Sequence, residues 1–260
     1  MDNNSITYSV KDLFFSYGRH EVIKNLSFDL HKGKITTLIG ANGCGKSTLF
    51  QLMTKNLKPN GGEILLGGRR LADIRLKDLA REAAIVHQYN TAPDDLTVEK
   101  LISYGRTPYH TLGISSNAEE DEEKIKWAME ITHTAKHKDK PVAELSGGQK
   151  QRVWIAMALA QDTKILFLDE PTTYLDIRYQ LQILKLIRKL NRELGLTIIM
   201  VLHDINQSFY YSDEIIAMKD GRIIAQGQPE QVITTELVKE VYDVALQIRS
   251  ANGRPFILPV

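Results

Sequence analysis

The spacing of hydrophobic and polar residues along the chain predicts an α/β protein. Short apolar runs, such as 35–39, which is rich in β-branched residues, 165–168 and 197–202, have the composition of buried strands. Segments with helical spacing alternate with them, as in 177–194, where Gly195 ends the pattern. Strands are predicted at 6–15, 22–30, 35–39, 63–66, 84–87, 165–168 and 197–202, followed by a hairpin at 215–225. Helices are predicted from Lys46, from Thr97 and from the acidic first turn 119–123, and at 73–82, 150–160, 177–194, 229–233 and 236–242.

The strand pattern stops between Tyr89 and about Ala160, which predicts a helical insert in the α/β core. His133 and His137 lie four residues apart in this insert. Because no third ligand is near, we interpret them as part of a solvated helix face rather than a metal site.

Charge and composition narrow the function classes. The 260 residues include 33 Lys and Arg against 32 Asp and Glu, so the net charge of +1 gives no sign of a nucleic-acid-binding tail. A single cysteine fits a reducing compartment. The polar residues 1–5 do not resemble a signal peptide, and no apolar run approaches the roughly 20 residues that span a bilayer. Any membrane role is therefore expected to come through a partner.

A glycine-rich loop, Gly40–Thr48, follows the predicted strand 35–39 and opens a predicted helix. Its residues fit G-x-x-x-x-G-K-S, in which backbone N–H groups and the helix N-terminus surround a phosphate. Lys46 is expected to reach the β- and γ-phosphates, Ser47 to ligate Mg²⁺, and Thr48 to lie near the α-phosphate. The alternative is a glycine turn followed by a surface lysine.

Polar side chains follow several other predicted strands, at the ends where ligands bind in open α/β sheets. Asp169 is expected to hold the Mg²⁺ shell, and Glu170 to accept a proton from an attacking water. Gln88 can accept from and donate to water or Mg²⁺ ligands, and in isolation it would be a surface glutamine. His203 can donate to the γ-phosphate, although a lone histidine is usually structural. Tyr17 can stack on a purine, and ordinary sheet packing is an equally good interpretation of it.

A second anion site is predicted at Ser146, Gly147, Gly148 and Gln149, before the helix 150–160. Because the first loop already serves one nucleotide, we expect this segment to contact a nucleotide that another chain holds.

Cys44 lies inside the first glycine loop. Nearby N–H groups and Lys46 should favour its thiolate, which predicts reactivity toward alkylating reagents that bound ATP would block.

Together these residues resemble the ATP-binding cassette (ABC) ATPase family over nearly the whole chain. The segments that carry the resemblance are Gly40–Thr48, Gln88, Leu145–Gln149, Ile165–Glu170, Asp176 and His203. The resemblance implies a P-loop NTPase (RecA-like) core with an N-terminal antiparallel β subdomain and an inserted α-helical subdomain. It implies one ABC ATPase domain over 1–260, with the core and β subdomain in 1–88 and 161–235, the helical subdomain in 89–160 and a tail in 236–260. Tyr174 departs from the small residue more usual in its turn.

The resemblance also implies ATP and Mg²⁺ as ligands and ATP hydrolysis as the activity. The implied catalytic residues are Glu170, His203, Gln88 and Lys46. The implied ATP-binding residues are Tyr17, Gly40, Ala41, Asn42, Gly43, Cys44, Gly45, Lys46, Ser47, Thr48, Ser146, Gly147, Gly148 and Gln149. The implied Mg²⁺ ligands are Ser47, Gln88 and Asp169.

Two further segments, Tyr104–Tyr109 and Ala156–Gln161, look like the branch that imports iron–siderophore, haem and cobalamin complexes. The ABC ATPase resemblance implies a head-to-tail homodimer. The branch resemblance implies an importer, with this chain bound peripherally to separate permease subunits on the cytoplasmic face of the plasma (inner) membrane. A substrate-binding protein would deliver the cargo, and no nucleic acid is implied.

Other interpretations remain open at this point. They are an ABC ATPase for another cargo or for export, a non-transport ABC ATPase acting on DNA or ribosomes, and a nucleotide-binding module without turnover. The insert has no sustained heptads for a DNA-repair coiled coil, the chain has one cassette, and Glu170 argues against a module without turnover.

Overall fold

The computed structural model describes residues 6–110, 117–251 and 254–258, so the polar segment 1–5 lies outside it. The strands are β1 (Ile6–Tyr17), β2 (His20–His31), β3 (Ile35–Gly40), β4 (Gly61–Leu66), β5 (Arg69–Arg70), β6 (Ala83–Val86), β7 (Ile165–Asp169), β8 (Thr197–Val201), β9 (Glu214–Lys219), β10 (Arg222–Gly227), β11 (Gln247–Ala251) and β12 (Arg254–Leu258). The α-helices are α1 (Lys46–Met53), α2 (Leu76–Leu79), α3 (Val98–Ser103), α4 (Ala118–Ile131), α5 (Gly147–Ala160), α6 (Ile177–Leu194), α7 (Ile205–Tyr211), α8 (Pro229–Val232) and α9 (Thr235–Tyr242). The chain forms two compact units, Met1–Ile74 with Thr197–Val260, and Arg75–Leu196.

The first unit contains the predicted N-terminal antiparallel sheet. Its strand order is β2-β1-β4-β5, and β1 pairs antiparallel with both β2 and β4. Along β1 the side chains of Tyr8, Val10, Leu13 and Phe15 are buried, because a pleated strand that covers a core on one face buries alternate residues. The buried residues change from even-numbered to odd-numbered positions at Asp12, which has a φ of 48° and interrupts the pairing register.

A second group of strands in the same unit is parallel. β3 lies between β8 and β9 and pairs in parallel with both, with Leu38 opposite Val201 on one side and Ile216 on the other. Every residue of β3 and β8 is buried, which explains why their sequences do not alternate between apolar and charged residues. The hairpin predicted at 215–225 is confirmed as β9 and β10.

The C-terminal segment packs on this parallel group. Val232, Val238 and Val241 join Ile215 and Ala217 of β9 in one buried cluster. The helices predicted at 229–233 and 236–242 are confirmed within a residue. The antiparallel pair β11 and β12 was not predicted, because its sequence has no regular alternation.

The second unit contains the helices of the predicted insert. β6 and β7 pair in parallel, with Val86 opposite Leu168, and α3, α4 and α5 pack against one another. The 177–194 helix is confirmed as α6: the Asp176 side chain accepts a hydrogen bond from the Tyr179 N–H, and Gly195 ends it at a φ of 66°.

Two helix predictions differ from the structure. The helix predicted at 73–82 is a 3-10 turn, Leu71–Asp73, and the single α-helical turn of α2, separated by extended backbone at Ile74 and Arg75. α5 begins at Gly147 rather than Lys150, because Ser146 and Gln149 form a capping box that includes the two glycines in the first turn. Within the described ranges, no helix combines the length and apolarity needed to cross a membrane.

Candidate functional site

The backbone between β3 and α1 forms a loop with an inward-facing concavity. Gly40, Gly43 and Gly45 have φ values of 151°, 77° and 108°, which side-chain-bearing residues rarely adopt. A Cβ on Gly40 would lie 2.4 Å from the Met218 carbonyl oxygen, so glycine is required there for space as well as conformation. A loop of this shape at a helix N-terminus directs backbone N–H groups toward an anion.

Lys46, the first residue of α1, is only 5% exposed. Its Nζ donates to the carbonyl oxygens of Gly40 at 2.7 Å and Ala41 at 3.0 Å. A buried ammonium group is costly unless it is paired, so the two carbonyl bonds hold the charge inside the loop. This placement contradicts the alternative of a surface lysine. Ser47 is exposed and Thr48 is buried beside it.

The prediction that Cys44 favours its thiolate was wrong. The side chain is buried, and this burial raises the pKa of the thiol more than the nearby Lys46 ammonium lowers it. The sulfur lies 3.9 Å from Lys46 Nζ.

Two contacts from distant parts of the chain support the loop. The Gly40 N–H donates to the Tyr242 hydroxyl at 3.1 Å, and the Gly221 N–H donates to the Cys44 carbonyl at 3.0 Å. Burial raises the pKa of Tyr242 to about 12, so the phenol is neutral at physiological pH. Sequence reasoning did not identify Tyr242, because no local pattern distinguishes it from other aromatic residues on an amphipathic helix.

Two further predicted residues lie in the first unit. Tyr17, at the end of β1, is 51% exposed and packs edge-on against Phe15, with ring centroids 4.8 Å apart. His203 is exposed and follows β8, which runs parallel to β3, so it lies at the edge of the sheet where the glycine loop begins. The adjacent Asp204 caps α7 by accepting from the Gln207 N–H at 2.9 Å.

In the second unit, Gln88 and Glu170 are brought together by the parallel pairing of β6 and β7. Gln88 Nε2 donates to Glu170 Oε2 at 2.5 Å, and the Thr173 hydroxyl donates to the same oxygen at 3.0 Å. Glu170 has a φ of 49°, a conformation that is uncommon outside glycine, so the backbone is turned sharply just after the strand. The carboxylate is thereby held in one orientation by two donors.

The predicted Mg²⁺ ligands have suitable chemistry. Ser47 offers a hydroxyl, Asp169 a carboxylate at the last position of β7, and Gln88 its amide oxygen, since its Nε2 donates to Glu170. Hard oxygen donors of this kind suit Mg²⁺, which keeps much of its shell from phosphates and water. Among the described residues no group of three or more His, Cys, Asp or Glu side chains forms a metal cluster.

The segment Ser146–Gln149 forms the exposed start of α5. The Gln149 Oε1 accepts from the Ser146 N–H at 2.9 Å, and Ser146 and Gly147 are exposed. Gly148 is buried against Tyr179: a Cβ there would lie 2.5 Å from the ring. The helix N-terminus is therefore open on one side, as an anion site requires.

The interpretation of His133 and His137 as one solvated helix face was wrong for His137. α4 ends at Ile131, and His133 has a φ of 59°, so the two residues do not share a helix. His133 is exposed, whereas His137 is half-buried with its Nε2 3.2 Å from the Nε2 of Gln149. The expectation that they form no metal site is unaffected.

An exposed pair of tyrosines connects the segments that follow Gln88 and Glu170. The hydroxyls of Tyr89 and Tyr174 lie 2.8 Å apart, and Tyr174, which is 79% exposed, has a φ of 63°. The hydrogen bond to Tyr174 raises the pKa of Tyr89. The pair gives Tyr174 a contact that a small residue would lack.

Comparison with known proteins defines the class of this chain. Residues 23–173 match the ABC transporter family, and the chain belongs to that family. The iron(3+)-hydroxamate import ATP-binding protein FhuC of Bacillus subtilis is 45% identical over 240 residues, covering 92% of this chain and 89% of FhuC. The ferric enterobactin transport ATP-binding protein FepC of Escherichia coli is 40% identical over 252 residues, covering 96% and 93%. The structure of cbiO1 from Clostridium perfringens, part of the ABC transporter complex cbiONQ, has a TM-score of 0.79 at 33% identity, covering 91% and 94%.

These similarities confirm the predicted fold class and family. The α/β core, the antiparallel β subdomain and the helical segments are those of an ABC ATPase. ATP binding follows from membership of the family and from the glycine loop with its buried Lys46.

Proposed function

We propose that this chain is the ATP-hydrolysing subunit of an importer for ferric siderophore complexes. Relatives named for ferric hydroxamate and ferric enterobactin transport align over more than nine-tenths of the chain, which favours this cargo over the other transport and non-transport alternatives. The shared chemistry of those cargoes is an Fe³⁺ chelate. The chelate itself would pass through separate membrane subunits.

The hydrogen-bonded Glu170 carboxylate is the observation on which hydrolysis depends. Glu170 accepts the proton of the attacking water while the new bond forms between the water oxygen and the γ-phosphorus, and the bond to the β,γ-bridging oxygen breaks. Gln88 and Thr173 hold the carboxylate in place through their donors. Gln88 also orients the water through its amide.

The remaining predicted residues contact the phosphates, the adenine or the cation. Lys46 and the loop N–H groups bind the β- and γ-phosphates, His203 donates to the γ-phosphate, and Tyr17 stacks on the adenine. Ser47, Asp169 and Gln88 would hold Mg²⁺, which would supply positive charge to offset that of the phosphates.

A homodimer arranged head to tail completes this proposal. The exposed N-terminus of α5, with Ser146 and Gly147, would contact the nucleotide bound by the glycine loop of a second copy. ATP would close the dimer and hydrolysis would open it, and the helical subdomain 89–160 would transmit this change to permease subunits at the cytoplasmic face of the membrane. A substrate-binding protein would deliver the ferric chelate.

Two variants test the proposal. Glu170→Gln should bind ATP with near-normal affinity and accumulate as an ATP-bound dimer, with turnover at least about 100-fold slower, because a general base contributes roughly 10²–10⁴-fold. Lys46→Ala should abolish ATP binding in a nucleotide titration. For Glu170→Gln, phosphate release measures turnover and size-exclusion chromatography with ATP measures dimer formation. Near-normal turnover by Glu170→Gln would show that Glu170 is not the base.

Uptake of ⁵⁵Fe-loaded hydroxamate and catecholate siderophores by cells, with and without the gene, tests the cargo class.

A further inference from the structure

The side-chain amide of Gln149 makes a hydrogen bond on each side. Its Oε1 accepts from the Ser146 N–H at 2.9 Å, and its Nε2 lies 3.2 Å from His137 Nε2. His137 belongs to a 3-10 turn, Ala135–His137, and reaches the start of α5 from there. The amide therefore links this turn to the capping box of the signature segment, Ser146–Gln149.

The protonation state of His137 follows from which of its neighbouring groups can donate and which can accept a hydrogen bond. The Ser146 N–H can only donate, so the oxygen of the Gln149 amide must face it and the NH₂ group must face His137. An amide nitrogen cannot accept, so His137 Nε2 must be the acceptor. The ring is therefore neutral, with its proton on Nδ1. An imidazolium carries N–H on both nitrogens and would set two donors against each other.

The surroundings of the ring agree with a neutral state. His137 Nδ1 is buried and lacks a hydrogen-bond partner within the described part of the chain, so its N–H is left unsatisfied in the neutral ring and in the imidazolium alike. Burial, together with the nearby ammonium groups of Lys136 and Lys140, lowers the pKa of His137. A second proton would therefore enter a buried, cationic environment.

We propose that neutral His137, protonated at Nδ1, is a positioning residue for the signature segment. It holds the Gln149 amide so that Oε1 stays on the Ser146 N–H, and this keeps the capping box formed at a helix N-terminus where Ser146 and Gly147 are exposed. The inference rests on the proposed function, in which this segment contacts the nucleotide of a second copy.

The test uses the full-length protein and four variants. His137→Leu removes the acceptor, His137→Asn places a carbonyl near Nδ1 rather than Nε2, and His137→Gln places one near Nε2. His133→Leu is the matched control, because His133 is an exposed histidine four residues away. All variants are compared with the wild type in ATPase assays, ATP titration and thermal unfolding.

If the free energy of a lost helix cap is expressed in full in the transition state, kcat should fall by about two- to thirtyfold in His137→Leu and His137→Asn. ATP affinity of the free subunit should be unchanged, since the glycine loop supplies it. His137→Gln should stay within about twofold of the wild type, because it restores the acceptor. A purely structural role would instead affect kcat only in proportion to loss of folded protein, and Gln would offer no advantage over Asn.

Imidazole ¹H–¹⁵N NMR of the wild type gives a test that needs no variant to fold. The resonances of His137, assigned by their loss in His137→Gln or by sequential correlation, should show a protonated Nδ1 and an unprotonated Nε2. A protonated Nε2 at neutral pH, or equal kcat for His137→Leu and His133→Leu, would overturn the inference. An inactive wild-type protein with the expected His137 tautomer would instead count against the proposed function.

Discussion

Replacing Tyr242 with Phe removes one acceptor from beneath the phosphate-binding loop. The Tyr242 hydroxyl accepts the Gly40 N–H at 3.1 Å, in a largely buried position. Phe keeps the ring and its packing against the cluster on β9, so little cavity forms. The variant therefore isolates the cost of leaving the first N–H of the loop without this partner.

That cost is about 1–3 kcal/mol, the usual penalty for a buried donor that loses its acceptor. If the whole penalty appears in folding, the melting temperature falls by roughly 3–9 °C, at about 3 °C per kcal/mol for a chain of this size. If the loop instead relaxes in the free protein and must be reordered by nucleotide, the Kd for ATP rises by roughly 5- to 150-fold. The loss in folding free energy and the loss in ATP-binding free energy should together equal this penalty of about 1–3 kcal/mol.

Thermal unfolding without nucleotide and isothermal titration with ATP measure the two parts. Tyr104→Phe is the control, because it removes an equivalent hydroxyl from a tyrosine that is half exposed. The raised pKa of Tyr242 adds a further check: the unfolded chain ionises this phenol first, so its contribution to stability is complete below about pH 10 and declines as pH rises toward 12. An unchanged melting temperature together with an unchanged Kd in Tyr242→Phe would refute the support role of this hydroxyl.

Two other predictions concern the second unit. Arg106→Met should lower the free energy of unfolding by about 3–5 kcal/mol, because it leaves the buried Asp121 carboxylate without the guanidinium 2.7 Å away. Adding Asp121→Leu should recover part of that loss, and urea denaturation measures both variants. Tyr174→Phe should lower the pKa of Tyr89 toward its ordinary value, since the hydrogen bond to Tyr174 is the main cause of the raised pKa. Ultraviolet difference titration against a Tyr89→Phe reference measures this shift, and an unchanged titration curve would mean that the hydroxyl pair does not form in solution.

The sequence was most informative where local interactions decide the structure. The β3 strand, the glycine loop and the start of α1 follow from a β-branched run, from backbone conformations that need glycine, and from a helix former at Lys46. The bounds of α6 were predictable for the same reason: Asp176 caps its first turn and Gly195 adopts the left-handed conformation that ends it.

Features that depend on burial or on distant contacts were not predictable. The Gly40–Tyr242 hydrogen bond joins residues 202 positions apart, and nothing near Tyr242 indicates that partner. The Cys44 prediction considered its charged neighbour but not its burial, and burial proved to be the larger influence. The His137 prediction assumed a continuous helix, although α4 ends six residues earlier.

The segment Tyr104–Tyr109, which suggested the importer branch, is explained by packing within the second unit. Arg106 is 2% exposed; it donates to Asp121 of α4 and to the Ala160 carbonyl at the end of α5, and its guanidinium lies 4.0 Å from the Tyr109 ring centroid. Gly105 is required because a Cβ there would lie 2.2 Å from the Met157 carbonyl oxygen. The cation thus joins the helix that begins at the signature segment to its neighbour, and its position at the C-terminus of α5 also suits the helix dipole. The motif therefore accounts for how α5 is held.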